Sequence, residues 1–336
     1  MSANKAQMQL FPPDETFPVS RRRGRPPKPP KFLTALDESD DSGIADIAAQ
    51  VHAGLCQTAL PYSRPLDDSK PWERRGIGAT LTVTPGFARR IEGGERVPVG
   101  VPYGSKARLI MIYIQTMGFR SRVVPLGTSM SAWIRSLGLS VTGGRKGTIG
   151  EIKEQILRLS NCQLILEVTE RLRSGAVRTV EQRASIASGL QLWADQPGRE
   201  QWPNEIELDD RFYHHLQVNA VALDKAAVAA LSGHSLGLDT YASLAHWLPR
   251  IGSPMAMKWS QLVQAFGSEG ETASTFGRRL RNVLPAVCKA YPTARVEVNR
   301  TGLLLYPSPP PVPEFRVGWT SGLKALTDES APGRDR

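Results

Sequence analysis

Residues 258–306 place the tightest constraint on any fold this chain can adopt. Beyond Thr272, the residues Phe276, Leu280, Val283 and Val287 recur at helical spacing. On a wheel of about 100° per residue they share one face, and Arg278, Arg281, Asn282 and Lys289 fall on the other. Such a helix needs a core on one side and leaves cations and an amide on the opposite side. Ahead of it, residues 259–267 read as a short helix opened by Ser260 and stopped by Gly267. Behind it, residues 295–299 and 302–306 read as strands around the tight turn Asn299-Arg300-Thr301-Gly302. Pro285 falls inside the apolar pattern and lacks a backbone donor. It is expected to kink or end the helix and to put Lys289 off its axis.

Strand, helix, turn, helix and hairpin make the outline of a winged helix. In that design the second helix enters the DNA major groove and the hairpin touches the backbone nearby. The expected contacts are Arg278, Arg279, Arg281 and Asn282 on the helix, with Arg300 at the hairpin tip. A basic helix face is also what an ordinary solvated surface looks like, so this pattern alone leaves both readings open.

The preceding half repeats the outline. Residues 123–126 read as a strand and residues 129–137 as a helix ending at Gly138. A second helix, 148–159, has Ile149, Ile152, Ile156 and Leu159 as its buried stripe. Glu154 and Arg158 are expected to face outward, with Lys153 on the flank. Strands over 162–169 and 177–193 follow, around Arg173-Ser174-Gly175. The expected DNA contacts here are Arg145, Lys146, Lys153, Arg158 and Arg173. This helix is the less cationic of the two, so backbone contact is expected rather than base reading. Residues 106–117 are apolar on most sides and read as a buried helix whose role is packing. Later, residues 223–231 and 238–248 read as helices, and Asp209 or Asp210 opens another.

Residues 1–75 read as a tail, rich in Pro, Asp, Ser and basic residues, with ordered structure expected to begin near Thr80. Within the tail, Ile44, Ile47, Val51 and Leu55 share a helical face over 44–55. The run Arg21-Arg22-Arg23-Gly24-Arg25-Pro26-Pro27-Lys28 contains Arg-Gly-Arg-Pro, the core of an AT-hook. Gly24 lets the backbone press into a narrow minor groove and Pro26 holds it extended. Arg23 and Arg25 then lie along the groove floor, where A·T tracts are most negative. A basic linker that touches phosphates without preference is the plainer alternative.

Charge supports a polyanionic partner. Across 336 residues, 42 Lys and Arg face 32 Asp and Glu, a formal net charge of +10. The longest apolar run, 109–114, is far short of the roughly 20 residues that span a bilayer, so no membrane partner is expected. No secretory signal is expected either, which with three scattered cysteines, Cys56, Cys162 and Cys288, points to a reducing cytoplasm. Catalysis finds little footing. Tyr213-His214-His215 is the one dense cluster, but adjacent histidines on a helix point about 100° apart. Gly143-Gly144-Arg145-Lys146-Gly147-Thr148 lacks phosphate-loop spacing, and no Cys/His set has zinc spacing. No cofactor, metal or enzymatic activity is expected.

Four stretches together resemble the plasmid-encoded RepA family of replication initiators. They are Gly104-Ser105-Lys106-Ala107-Arg108-Leu109; Leu126-Gly127-Thr128-Ser129 with Trp133-Ile134-Arg135-Ser136-Leu137-Gly138-Leu139; Leu223-Asp224 with Leu238-Asp239-Thr240-Tyr241-Ala242-Ser243-Leu244; and Gly302-Leu303-Leu304-Leu305-Tyr306-Pro307-Ser308-Pro309-Pro310. The resemblance covers roughly residues 100–313 and leaves out the basic tail. It implies tandem winged-helix domains that bind direct repeats (iterons) at a plasmid origin. It further implies opening of adjacent A·T-rich DNA, recruitment of the host initiator and helicase, and repression of the protein's own promoter. The expected organisation is an α+β chain: a basic tail 1–75, winged helices 76–200 and 201–313, and a tail 314–336. The apolar faces of 44–55 and of the first winged helix permit a homodimer without requiring one. A winged-helix transcriptional regulator remains the alternative, and a strand-nicking endonuclease using Tyr213 a further one.

Overall fold

Strand β1 (Ala48–His52) is buried along its whole length, where the apolar spacing of 44–55 predicts a helix. The computed structural model describes residues 48–89, 95–144, 147–171, 177–185 and 205–312. After β1 come β2 (Trp72–Arg75), β3 (Ala79–Thr84), β4 (Phe87–Arg89) and β5 (Arg96–Pro98). Then follow α1 (Gly104–Gly118), β6 (Val123–Pro125), α2 (Met130–Ser136), α3 (Thr148–Asn161), β7 (Gln163–Arg171) and β8 (Val177–Ser185). The chain continues through β9 (Glu205–Glu207), α4 (Asp210–Asn219), β10 (Ala220–Asp224), α5 (Lys225–Leu231) and α6 (Ser235–Trp247). It closes with β11 (Met255–Lys258), α7 (Trp259–Phe266), α8 (Ala273–Ala290), β12 (Arg295–Val298) and β13 (Gly302–Tyr306).

The fold is mixed α/β, and every strand pairing among the described residues is antiparallel. One order of elements occurs twice. Helix, strand, helix, helix and hairpin run as α1–β6–α2–α3–β7–β8 and again as α6–β11–α7–α8–β12–β13. In the later unit β11 pairs with β13, giving the three-stranded order β11-β13-β12. In the earlier unit β6 pairs instead with β9, and the hairpin β7–β8 extends a four-stranded sheet, β2-β3-β7-β8.

Two pairings correct the expected division at residue 200. β6–β9 and β1–β10 both cross it, and one hydrophobic core runs from Ala49 through Ile110 and Tyr241 to Leu305. The two units share a core rather than each closing its own. The partner also explains β1. Its backbone pairs from Ala48 opposite Asp224 to His52 opposite Ala220. Its other edge is held by α1 side chains, with Gln50 N–H donating to Thr116 Oγ1 (3.0 Å) and His52 N–H to Gln115 Oε1 (2.8 Å). A tertiary neighbour overrides a local apolar period here. Leu223 likewise lies in β10, and its neighbour Asp224 caps α5 by accepting from Ala227 N–H (2.8 Å).

Residues 48–75 are therefore part of the fold, not of a tail. They are held by polar contacts that an apolar period does not reveal. Arg108 of α1 donates to the carbonyls of Leu60 (2.7 Å) and Pro61 (3.2 Å). Asp68 accepts from Arg158 of α3 (3.1 Å), and the Trp72 indole donates to Ala59 O (3.0 Å). Arg108 also forms a two-pronged ion pair with Asp239 of α6, with both contacts at 2.7 Å. That pair links the first helix of one unit to the first helix of the other.

Two buried histidines give this core a pH dependence. His52 is 4% exposed, and its Nδ1 accepts from Gly54 N–H (3.1 Å), which requires that nitrogen to be unprotonated. Burial, then the neighbouring His215, lowers its pKa to about 4; burial, then Arg250 and His52, lowers that of His246 to about 3. Both folded values lie below the unfolded value near 6.5, so below that pH the unfolded chain binds more protons and stability falls as pH falls. Between pH 6.5 and 5 each histidine should cost roughly 2 kcal/mol, read as a falling urea midpoint, and His52→Gln should flatten that slope.

Candidate nucleic-acid interface

α8 is the element that most clearly offers a working surface. Thr272 opens it, its Oγ1 accepting from Thr275 N–H (3.2 Å). Phe276, Gly277, Leu280, Leu284 and Val287 are buried against the shared core. Arg278, Arg281, Asn282 and Lys289 stand exposed on the opposite face, as the wheel requires. The helix has no Asp or Glu in its 18 residues, so nothing on its own surface neutralises that stripe. Among the described residues no carboxylate lies within ion-pair distance of Arg278 or Arg281.

Pro285 does not end α8, which continues to Ala290. The bond it cannot make would have gone to the Arg281 carbonyl, and both residues are exposed, so water can take that place. Lys289 consequently stays on the helix. The helix before it also starts differently: Lys258, not Ser260, is the capping residue of α7, with Gln261 Oε1 accepting from Lys258 N–H (2.9 Å).

Arg279 does not belong to the stripe. It follows Gly277 and Arg278 toward the buried side and pairs with Glu271 at 2.7 Å, a carboxylate only 8% exposed. Its guanidinium also lies 4.8 Å from the Tyr62 ring. An arginine held this way is half-buried and supports the α7–α8 corner, unlike the exposed Arg278 and Arg281.

The hairpin β12–β13 ends in an ordered tip. Asn299 Oδ1 accepts from the N–H groups of Thr301 (2.9 Å) and Gly302 (2.8 Å), an Asx turn that leaves Arg300 exposed. Gly302 is required there, because a Cβ would lie 1.9 Å from the Met257 carbonyl of β11. The same register sets Lys258 opposite Gly302. Exposed Lys258 thus sits beside the tip, a cation the linear sequence gave no reason to select until β11 is paired with β13.

The earlier unit offers less. Arg158 is 2% exposed, not outward-facing. It pairs with Glu154 (2.9 Å) and Asp68 (3.1 Å), donates to Val101 O, and lies 5.1 Å from the Tyr103 ring. Gly100, at φ +76°, leaves the space its guanidinium occupies. Asp68 on one side and the segment Gly100–Tyr103 on the other hold it inward. No residue of α3 is exposed, and Lys153 is half-buried with contacts of its own. Arg145, Lys146 and Arg173, like Arg23, Gly24, Arg25 and Pro26, lie outside the described residues. Tyr213 and His214 share α4, where His214 is 3.7 Å from Asp210. Among the described residues no group of three or more His, Cys, Asp or Glu is placed to hold a metal.

Residues 101–264 match the family model for the plasmid encoded RepA protein. Over those residues the chain is similar to the plasmid-encoded RepA family. The RepA-like stretches prove to be structural. Arg108 and Asp239 form the pair between units, Ser129 caps α2, and the Tyr241 hydroxyl accepts from Asp224 N–H (2.9 Å). Gly104, Gly127 and Gly138 all have positive φ. The RepA match stops before α8 and does not include the exposed stripe. A crystal structure of RctB domains 2-3 is similar at 12% identity and a TM-score of 0.42, covering 74% of this chain and 93% of that one. No curated protein matches the chain in sequence.

Proposed function

We propose that this protein initiates plasmid replication by binding direct repeats at the origin through two winged helices. The carrying observation is the acid-free, exposed stripe Arg278, Arg281 and Asn282 on α8, flanked by Arg300 and Lys258 at the hairpin tip. Arg matches the guanine edge and Asn the adenine edge in the major groove. The tip cations are positioned for phosphate, which orients the helix but does not itself select sequence. The earlier unit, with its embedded α3, grips the adjoining turn of duplex through its hairpin. The basic run around Arg23 and Arg25 engages A·T-rich DNA beside the repeats. On this reading the protein acts without catalysis, supports assembly of the host initiator and helicase by holding the origin, and represses its own promoter when repeats overlap it.

Footprinting of the purified protein across the DNA flanking its own gene tests this. Protection should fall on tandem repeats with one helical face contacted per unit. Uniform or scattered protection would overturn the reading.

A further inference from the structure

Trp259 is the first residue of α7, and its backbone N–H donates to the Thr301 carbonyl at the hairpin tip (2.9 Å). Its indole is half-buried and lies under the Arg281 guanidinium, 4.8 Å from ring centroid to the carbon of the cation. Gly277, one turn earlier on α8, lies against both groups. A Cβ there would sit 3.4 Å from Trp259 Cδ2 and 3.5 Å from Arg281 Nη1. One residue at the helix start therefore meets the hairpin through its backbone and Arg281 through its ring.

The geometry points to Trp259 as a positioning residue that sets which base Arg281 addresses. This rests on the reading of α8 as the base-reading helix. A ring engages the flat face of a guanidinium and leaves its N–H edge free. That edge is the part that pairs bidentately with a guanine. An unrestrained arginine loses rotamer freedom when it binds, and a side chain already held loses less. Because the Trp259 backbone bonds to the hairpin tip, the residue whose ring holds Arg281 is itself tied to the turn that carries Arg300. Base contact and backbone contact are thus held in one register.

The test compares a duplex bearing the footprinted site with a random duplex of equal length, using the full chain. Trp259→Ala should lower affinity for the site roughly tenfold and leave the random duplex within about twofold. Trp259→Tyr keeps a ring and should recover most of the loss. In Trp259→Ala/Arg281→Ala, the loss should be no greater than in Arg281→Ala alone, because the ring acts through that arginine. Additive losses, or a Trp259→Ala protein that still discriminates while Arg281→Ala does not, would overturn the inference. An equal loss on both duplexes with a lowered melting temperature would also overturn it, by making Trp259 a structural residue. Failure of the underlying reading looks different: Arg281→Ala itself would weaken both duplexes alike.

Discussion

Asp239→Ala should destabilise the folded protein by roughly 3–5 kcal/mol, because it leaves the buried Arg108 guanidinium without its carboxylate. Arg108 and Asp239 side chains are 6% and 12% exposed, so solvent offers little compensation. The guanidinium would keep the carbonyls of Leu60, Pro61 and Gly104, but none of these carries a charge. For a core of this size the melting temperature should fall by roughly 10 °C. Arg108→Met/Asp239→Leu, which removes both charges, should recover much of the loss, since a well-packed apolar pair escapes the desolvation cost. The pair joins α1 to α6, so the Asp239→Ala transition also reports on how the units are joined. A single cooperative transition fits one shared core. Two separated transitions would show that the pair is what couples the units, whereas a melting temperature within about 2 °C of the wild type would show that it is not.

Much of the later unit was legible because its information is local. Phe276, Leu280 and Val287 mark the buried face of α8 by spacing alone, and Asn299 with Gly302 marks the turn by chemistry. The α8 stripe follows, since the face opposite a core is the face left to solvent. What escaped was set by distant partners. β1 has a helical apolar period but pairs with β10, more than 160 residues away in sequence. Arg158 sits at a position that the period alone does not bury, and it is buried by Asp68 and the segment around it. That segment has Pro, Asp and Ser in place of an apolar stripe, so it reads as tail while acting as a strap. Arg279 and Arg281 differ by two positions and have the same chemistry. Only Glu271 and Tyr62 on one side, and Trp259 on the other, decide which is structural and which is free.

That difference sets the largest effect expected on binding. Arg278→Ala/Arg281→Ala should weaken affinity for the protein's own repeat by roughly 2–6 kcal/mol, taking about 1–3 kcal/mol for each bidentate base contact. Random duplex should lose much less, because the exposed cations Arg300 and Lys258, proposed to contact phosphate, remain in place. The slope of affinity against salt separates these classes further. A base-reading pair leaves the slope close to that of the wild type, whereas two phosphate contacts would lower it by about 2. Arg279→Ala supplies the internal comparison. It removes the partner of a carboxylate that is 8% exposed, so its main effect should be on melting temperature, with discrimination between repeat and random DNA retained. If instead Arg279→Ala abolished discrimination in a fully folded protein while Arg278→Ala/Arg281→Ala did not, the exposed stripe would not be the reading surface. The Arg279–Glu271 pair would then have to open for the half-buried arginine to reach DNA.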